Sequence, residues 1–148
     1  MNAVTVREAR EPDVGAVLEL YAQPGLDDGD VLDEAAAVSI FRRFRQYPDY
    51  RLYVAERDGE IVGTFALLVM DNLAHRGARS GVVEDVVVRA DLRGLGIGRQ
   101  MMAFARERCR AAGCYKMALS SNLNREAAHR FYESLGFDRH GYSFLIPP

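Results

Sequence analysis

Between residues 82 and 99 the chain runs Val82-Val-Glu-Asp-Val-Val-Val-Arg89, then Ala90-Asp-Leu, then Arg93-Gly-Leu-Gly-Ile-Gly-Arg99. The valine run is a β-strand pattern, because branched side chains restrict χ1 and pack well on a pleated surface. Beyond the glycines, Ile97, Met101, Phe104, Ala105, Cys109 and Ala112 keep to one face of a helix that Gly113 can end. A strand therefore passes through a glycine-rich turn into a helix. Closely spaced glycines let the backbone turn sharply and approach a ligand. The first N–H groups of the helix lack partners and lie at its positive dipole end, which suits a phosphate or pyrophosphate. Arg93 and Arg99 bracket the turn and can add charge-assisted contacts. The spacing Gly-x-Gly-x-Gly departs from the dinucleotide fingerprint, and Tyr115 to Ser121 offers no acidic residue for a ribose. No Gly-Lys-Ser/Thr follows, so a P-loop is excluded. On the turn alone, a glycine-rich loop that holds no ligand stays open.

Outward from this unit the patterning predicts a first strand ending at Thr5–Arg7 and a helix opened by Glu11-Pro12-Asp13. A second helix follows over about 31–46, then a hairpin of Tyr50–Glu56 with Ile61–Met70. A polar loop spans Asp71–Ser80. After the central strand and helix come a short strand at Tyr115–Ser120, a helix to about Leu135 stopped by Gly136, and a closing strand over Phe137–Ile146. The order β-α-α-β-β-β-α-β-α-β describes a single mixed α/β (α+β) domain, residues 1–148, with a mostly antiparallel central sheet flanked by helices.

Composition sets the outer bounds. The 148 residues are 49% hydrophobic and 27% charged, with a net charge of −2. That balance argues against a general nucleic-acid-binding surface. The longest apolar run, Ile61–Met70, is too short to cross a membrane, which takes roughly 20 residues. Met1 to Arg10 carries no apolar run, so no secretory signal is expected and the cytoplasm is the default. Two cysteines and three scattered histidines form neither a disulfide framework nor a metal-ligand spacing, so no metal is expected.

Glu84 and Asp85 interrupt the valine strand, and alternation would put them on opposite faces. A carboxylate there is either wet, paired with an Arg, or held for chemistry, since burial without a partner is costly and raises its pKa. In the last helix Ala128, Phe131, Tyr132 and Leu135 fall at i, i+3, i+4, i+7, which puts Tyr132 on the apolar stripe. A core tyrosine with a local partner explains that placement as well as a functional one does. Asn122 and Asn124 each suit the N-cap of this helix. Arg125 and His129, one turn apart, suit either a solvated face or contact with substrate.

Arg93-Gly94-Leu95-Gly96-Ile97-Gly98, after a strand and opening a helix, resembles the Arg/Gln-x-x-Gly-x-Gly/Ala motif of the GNAT superfamily of acyl-CoA-dependent N-acetyltransferases. Phe131-Tyr132-Glu133-Ser134-Leu135-Gly136-Phe137 resembles that family's Phe/Leu-Tyr-x-x-x-Gly-Phe signature, and the element order fits the fold along the whole chain. The resemblance implies that backbone N–H groups from Gly94 to Arg99, with Arg93, hold the pyrophosphate of acetyl-CoA. It implies that the pantetheine arm lies along Val86, Val87 and Val88 like an added strand. Tyr132 would protonate the leaving thiolate. Glu84 or Asp85 would take the amine proton, and the Val86 N–H would stabilise the oxyanion. The family's coenzyme-contacting Asn would be Asn122 or Asn124, both one or more residues out of its usual register. Arg125 and His129 are the candidates for substrate contact. Val83–Val88 with Arg93-Gly94 and Cys114-Tyr115-Lys116 looks like the glucosamine-6-phosphate branch, and Ala128–Tyr132 is similar to aminoalkylphosphonate acetyltransferases. The implied activity is direct acetyl transfer to a primary amine of a small molecule. Acetylation of a protein lysine or N-terminus and coenzyme sensing without turnover are the alternatives. Arg42, Arg43, Arg45, Arg76 and Arg79 would favour an anionic acceptor, and Asp27, Asp28 and Asp30 a cationic one. The apolar tail Phe144-Leu145-Ile146 fits either core or a homodimer contact.

Overall fold

Two residues in the strands lack the side chains that their neighbours carry, and helix α3 (Ile97–Ala111) packs close where they stand. A Cβ at Gly63 would stand 2.6 Å from Met101 Sδ, and one at Gly81 would collide with the Cys109 sulfur. Each glycine gives up packing area so that a helix can approach the sheet backbone. The computed structural model describes residues 3–148; Met1 and Asn2, the start of the segment read for a secretory signal, lie outside the described residues. Met1–Ala118 and Leu119–Pro148 form two compact units.

Five strands lie in the order β1 (Thr5–Glu8), β2 (Tyr50–Arg57), β3 (Glu60–Met70), β4 (Arg79–Val88), β5 (Cys114–Leu119), the first four wholly within the first unit. The first three pairings are antiparallel. β4 and β5 are joined through α3, the kind of connection that parallel neighbours require, so the sheet is mixed. The β2–β3 turn sits at Asp58-Gly59, both at positive φ, the residues such a tight turn favours.

Strand alternation divides the core between the two faces. Leu52, Val54 and Ala66 are buried with Val14 and Val17 of α1 (Val14–Tyr21) and Ala37 and Phe41 of α2 (Glu34–Phe44). Tyr53, whose ring stacks on Phe65, meets Phe104 of α3 on the other face. The helix predicted from Glu11 begins as a 3-10 turn, Glu11–Asp13, and α2 starts at Glu34 because Asp33 Oδ1 accepts from the Ala36 N–H at 2.9 Å. Cys109 and Cys114 are free thiols. Burial, and secondarily Cys114, push the Cys109 thiol up to about 12.

The second unit holds α4 (Glu126–Ser134), whose less exposed face carries Ala128, Phe131 and Tyr132. Two sequence expectations fail here. Neither Asn122 nor Asn124 is the N-cap, which is Arg125; Asn122 Oδ1 instead accepts from the Asn124 N–H at 2.9 Å in a local turn. The closing strand over Phe137–Ile146 does not form, and Tyr142, Phe144, Leu145 and Ile146 are 84–92% exposed. An apolar pattern supplies residues fit for a strand, but a strand also needs a partner ladder. No helix among the described residues is long and apolar enough to cross a membrane.

Candidate active site

The sequence irregularity in β4 becomes a geometric one. Thr64 pairs with Val87 and Ala66 with Glu84, so Asp85 and Val86 together face Phe65. Two residues against one is a β-bulge. Asp85 adopts φ 54, the left-handed region that Asp tolerates better than a β-branched residue would. The bulge breaks the strict alternation expected to separate Glu84 from Asp85. Both are exposed side chains. Partial burial, and then the Asp85 charge, raise the Glu84 pKa; partial burial, and then Asp27, raise that of Asp85. The two carboxylates therefore share a field, and a third enters it from the loop after α1.

Two tyrosines complete this surface, and neither was legible as a site residue. Tyr21 ends α1. Burial, followed by Asp85, raises its phenol, which also interacts with the buried Thr64 hydroxyl. Thr64 in turn donates to the Tyr53 carbonyl at 2.8 Å. Tyr50 opens β2, stacks on Phe44 at 4.2 Å, and is raised by burial and then by Asp85 and Glu84. Sequence separations of about 35–65 residues hide this group; only the sheet and α1 assemble it.

Beyond β4, Arg89 turns back to pair with Glu60 and Asp91, and a 3-10 turn over Ala90–Leu92 leads to Arg93. Gly94 (φ 81) and Gly96 (φ 85) both need the left-handed region, and at both the space a Cβ would fill is open. Gly96 is the N-cap of α3 and offers no side-chain cap, so the amides of the first turn stay available to an outside acceptor. Leu95 is exposed, Ile97 buried and Gly98 half-buried. Arg93 and Arg99 are exposed and form no ion pair among the described residues. Positive φ, an open cradle and an uncapped helix start together fit an anionic group. Val87 is buried in the sheet, and Val86 and Val88 are half-buried.

Of the arginines expected around an acceptor, Arg42 pairs with Glu11 and Arg79 with Asp71, and Arg45 lies over the Phe41 ring. Arg76 sits in the β3–β4 loop between His75 and Gly77, three successive residues at positive φ. That loop is held by Asn72 Nδ2, which donates to Ala78 O at 2.9 Å.

In the second unit, burial raises the Tyr132 phenol, with Arg125 opposing. Its ring meets Phe131 and Phe137. The His129 ring nitrogen lies 2.8 Å from the Asn122 carbonyl oxygen, which draws His129 back onto the loop that carries both asparagines. Ser121 Oγ is buried without a partner. Among the described residues no group of three or more His, Cys, Asp or Glu is placed to hold a metal ion.

Residues 15–137 match the profile of the Acetyltransferase (GNAT) family. An aminoalkylphosphonate N-acetyltransferase of Salmonella typhimurium is 36% identical over 97 residues, which span 66% of this chain and 62% of that protein. A glucosamine 6-phosphate N-acetyltransferase of Trypanosoma brucei brucei is 33% identical over 91% of this chain and 89% of its own length. Among solved structures, one described as a transcriptional regulator from Bacillus halodurans C-125 superposes with a TM-score of 0.91 at 30% identity, covering 98% of this chain and 99% of that one.

Proposed function

Because the chain belongs to the GNAT acetyltransferase family, whose co-substrate is acetyl-CoA, we propose that it transfers the acetyl group to a primary amine of a small molecule, directly, in a ternary complex. The domain that does so spans residues 1–148. The observation that carries the proposal is the run of β4 from its bulge at Asp85–Val86 into the uncapped, glycine-lined start of α3. Amides from Gly94 to Arg99, with Arg93 and Arg99, bind the pyrophosphate, and the pantetheine arm follows Val86 to Val88. Asn122 and Asn124 serve the coenzyme, and Arg125 and His129 the acceptor.

An ammonium cannot attack a thioester. Glu84 or Asp85 accepts its proton, and the raised pKa of each makes it a better base nearer neutrality. The free amine then adds to the carbonyl carbon. The oxyanion takes the Val86 N–H, which the bulge removes from the ladder register. As the tetrahedral adduct collapses, the C–S bond breaks and the thiolate receives the Tyr132 proton. A raised phenol pKa keeps that proton in place until then.

Glu84, Asp85 and Asp27 around Tyr21 and Tyr50 favour an acceptor with positive charge near its amine, while the two named relatives act on amines that carry phosphate or phosphonate. Thiol release from acetyl-CoA against polyamines, glucosamine 6-phosphate, aminoalkylphosphonates, amino acids and short peptides separates these classes. Saturable release with one class of small amine is the expected result. Release with peptides alone would move the assignment to protein acetylation, and a thermal shift with acetyl-CoA but no release to a sensor. Free Cys109 and Cys114 fit a reducing cytoplasm. The exposed apolar residues Phe144, Leu145 and Ile146 support a homodimer, which sedimentation of the full chain against one lacking residues 142–148 tests.

A further inference from the structure

Gln23, just past α1, makes a pair of hydrogen bonds that no motif announces. Its Oε1 accepts from the Ala90 N–H at 2.7 Å and its Nε2 donates to the Val88 carbonyl at 3.2 Å, across more than 60 residues of sequence. Between those two residues the Arg89 N–H donates to Val62 O at 2.8 Å, toward β3. Strand groups alternate sides, so Val88 O and Ala90 N point to the other edge of β4. One donor and one acceptor of a side-chain amide there replace what a neighbouring strand would supply. The same residue begins the loop that carries Asp27, whose own N–H donates to Tyr21 O at 3.1 Å.

We propose that Gln23 is a positioning residue for acetyl-CoA: its amide caps the end of β4 on the edge away from β3, sets the backbone entering the Arg93–Arg99 turn, and ties the loop carrying Asp27 to that strand. This rests on the transferase reading. The coenzyme's arm then has a bounded stretch of β4, from the bulge at Asp85–Val86 to the clamp at Val88–Ala90. Loss of the clamp frees the 3-10 turn at Ala90–Leu92 that delivers Arg93 and Gly94.

The test is acetyl-CoA affinity by titration calorimetry, beside the melting temperature, for the wild type, Gln23→Ala and Gln23→Glu. Gln23→Ala is expected to weaken acetyl-CoA about tenfold, because the freed Ala90–Leu92 turn must then be ordered on binding, with the protein still folded at the assay temperature. Gln23→Glu supplies a readout that a purely structural role would not move. Its carboxylate keeps the Ala90 bond but opposes the Val88 oxygen. Protonated, it regains one donor and one acceptor and reproduces the amide. The charged groups lining the cleft around Gln23 are Asp13, Glu19, Glu56, Glu60 and Arg89, and of these carboxylates Asp13 and Glu56 already pair with Arg7 and Glu60 with Arg89. The ratio of its Kd to the wild type's should narrow as the added carboxyl protonates, over roughly pH 7 to 4. A Gln23→Ala affinity within twofold of the wild type, or a Gln23→Glu ratio flat with pH, would overturn the inference while leaving the transferase reading intact. Failure of the wild type to bind acetyl-CoA would overturn both.

Discussion

Replacing Gly96 by alanine isolates the anion site from the rest of the fold. The residue stands at φ 85, ψ 7, and no atom beyond its chain neighbours lies within 4 Å of where its Cβ would be. The cost to folding is therefore that of an L-residue in the left-handed region, about 1–2 kcal/mol, which lowers the melting temperature of a domain this size by roughly 2–8 °C. The cost to binding has another origin. The added methyl occupies the open cradle at the uncapped start of α3, where a phosphate would accept from the first-turn amides. Hydrogen bonds to charged groups contribute about 1.5–3 kcal/mol each. Displacing one weakens binding by about tenfold to 150-fold. Steady-state KM values for acetyl-CoA and for S-acetyl-pantetheine, which lacks the pyrophosphate, separate the two effects. Gly96→Ala should raise the first at least tenfold and leave the second within twofold. Equal losses for both thioesters would show a general distortion, and no loss for acetyl-CoA would refute the pyrophosphate assignment.

Other expectations follow from the same geometry. Glu84→Gln and Asp85→Asn should each lower kcat, by about 10²–10⁴ for whichever is the base; a kcat within threefold of wild type for both would remove the two from the proton path. Both carboxyls have folded pKa values above their unfolded ones, so between those values the native state binds more protons and stability falls as pH rises. Each neutral variant should accordingly melt higher than wild type at pH 7, with the gain vanishing below the ordinary carboxylate range; an unchanged melting point at pH 7 would contradict the shared field. Tyr132→Phe should reduce kcat with the acetyl-CoA Kd unchanged, and an unaltered kcat would dismiss it as the acid. Gly63→Ala should destabilise by about 1–3 kcal/mol through overpacking, because its Cβ meets Met101 Sδ at 2.6 Å and the Val87 carbonyl at 3.3 Å; denaturant unfolding checks this.

The strand–turn–helix core of this protein was legible because each part depends on neighbours in sequence. Branched residues made β4, glycines made the turn, and an i, i+3, i+4 stripe made α3. The bulge was not legible because period-2 alternation carries no sign of an extra residue. The one available hint was an Asp, a residue able to enter the left-handed region, in a run of valines. Tyr21, Tyr50 and Gln23 were missed for a different reason: they come from the ends of elements, and their meeting with β4 is set by how α1 and β2 pack. Phe137–Ile146 shows the opposite error. Its apolar residues satisfied a strand pattern, yet pairing is a property of two segments and the pattern describes one. Gly63 and Gly81 carry a readable signal of α3, since a glycine inside a strand pattern often marks close approach by another element.

Cys109 rests over Gly81, its thiol buried on α3 and pushed up to about 12, while Cys114 is only half-buried. A thiolate-seeking reagent can reach Cys109 only when α3 lifts from the sheet. Cys109 modification thus reports that opening with no residue to introduce. If the proposed site at the start of α3 holds acetyl-CoA, binding favours the closed state by mass action, and Cys109 modification should slow in proportion to occupancy. The Cys109 labelling rate then reads coenzyme occupancy without any acceptor amine.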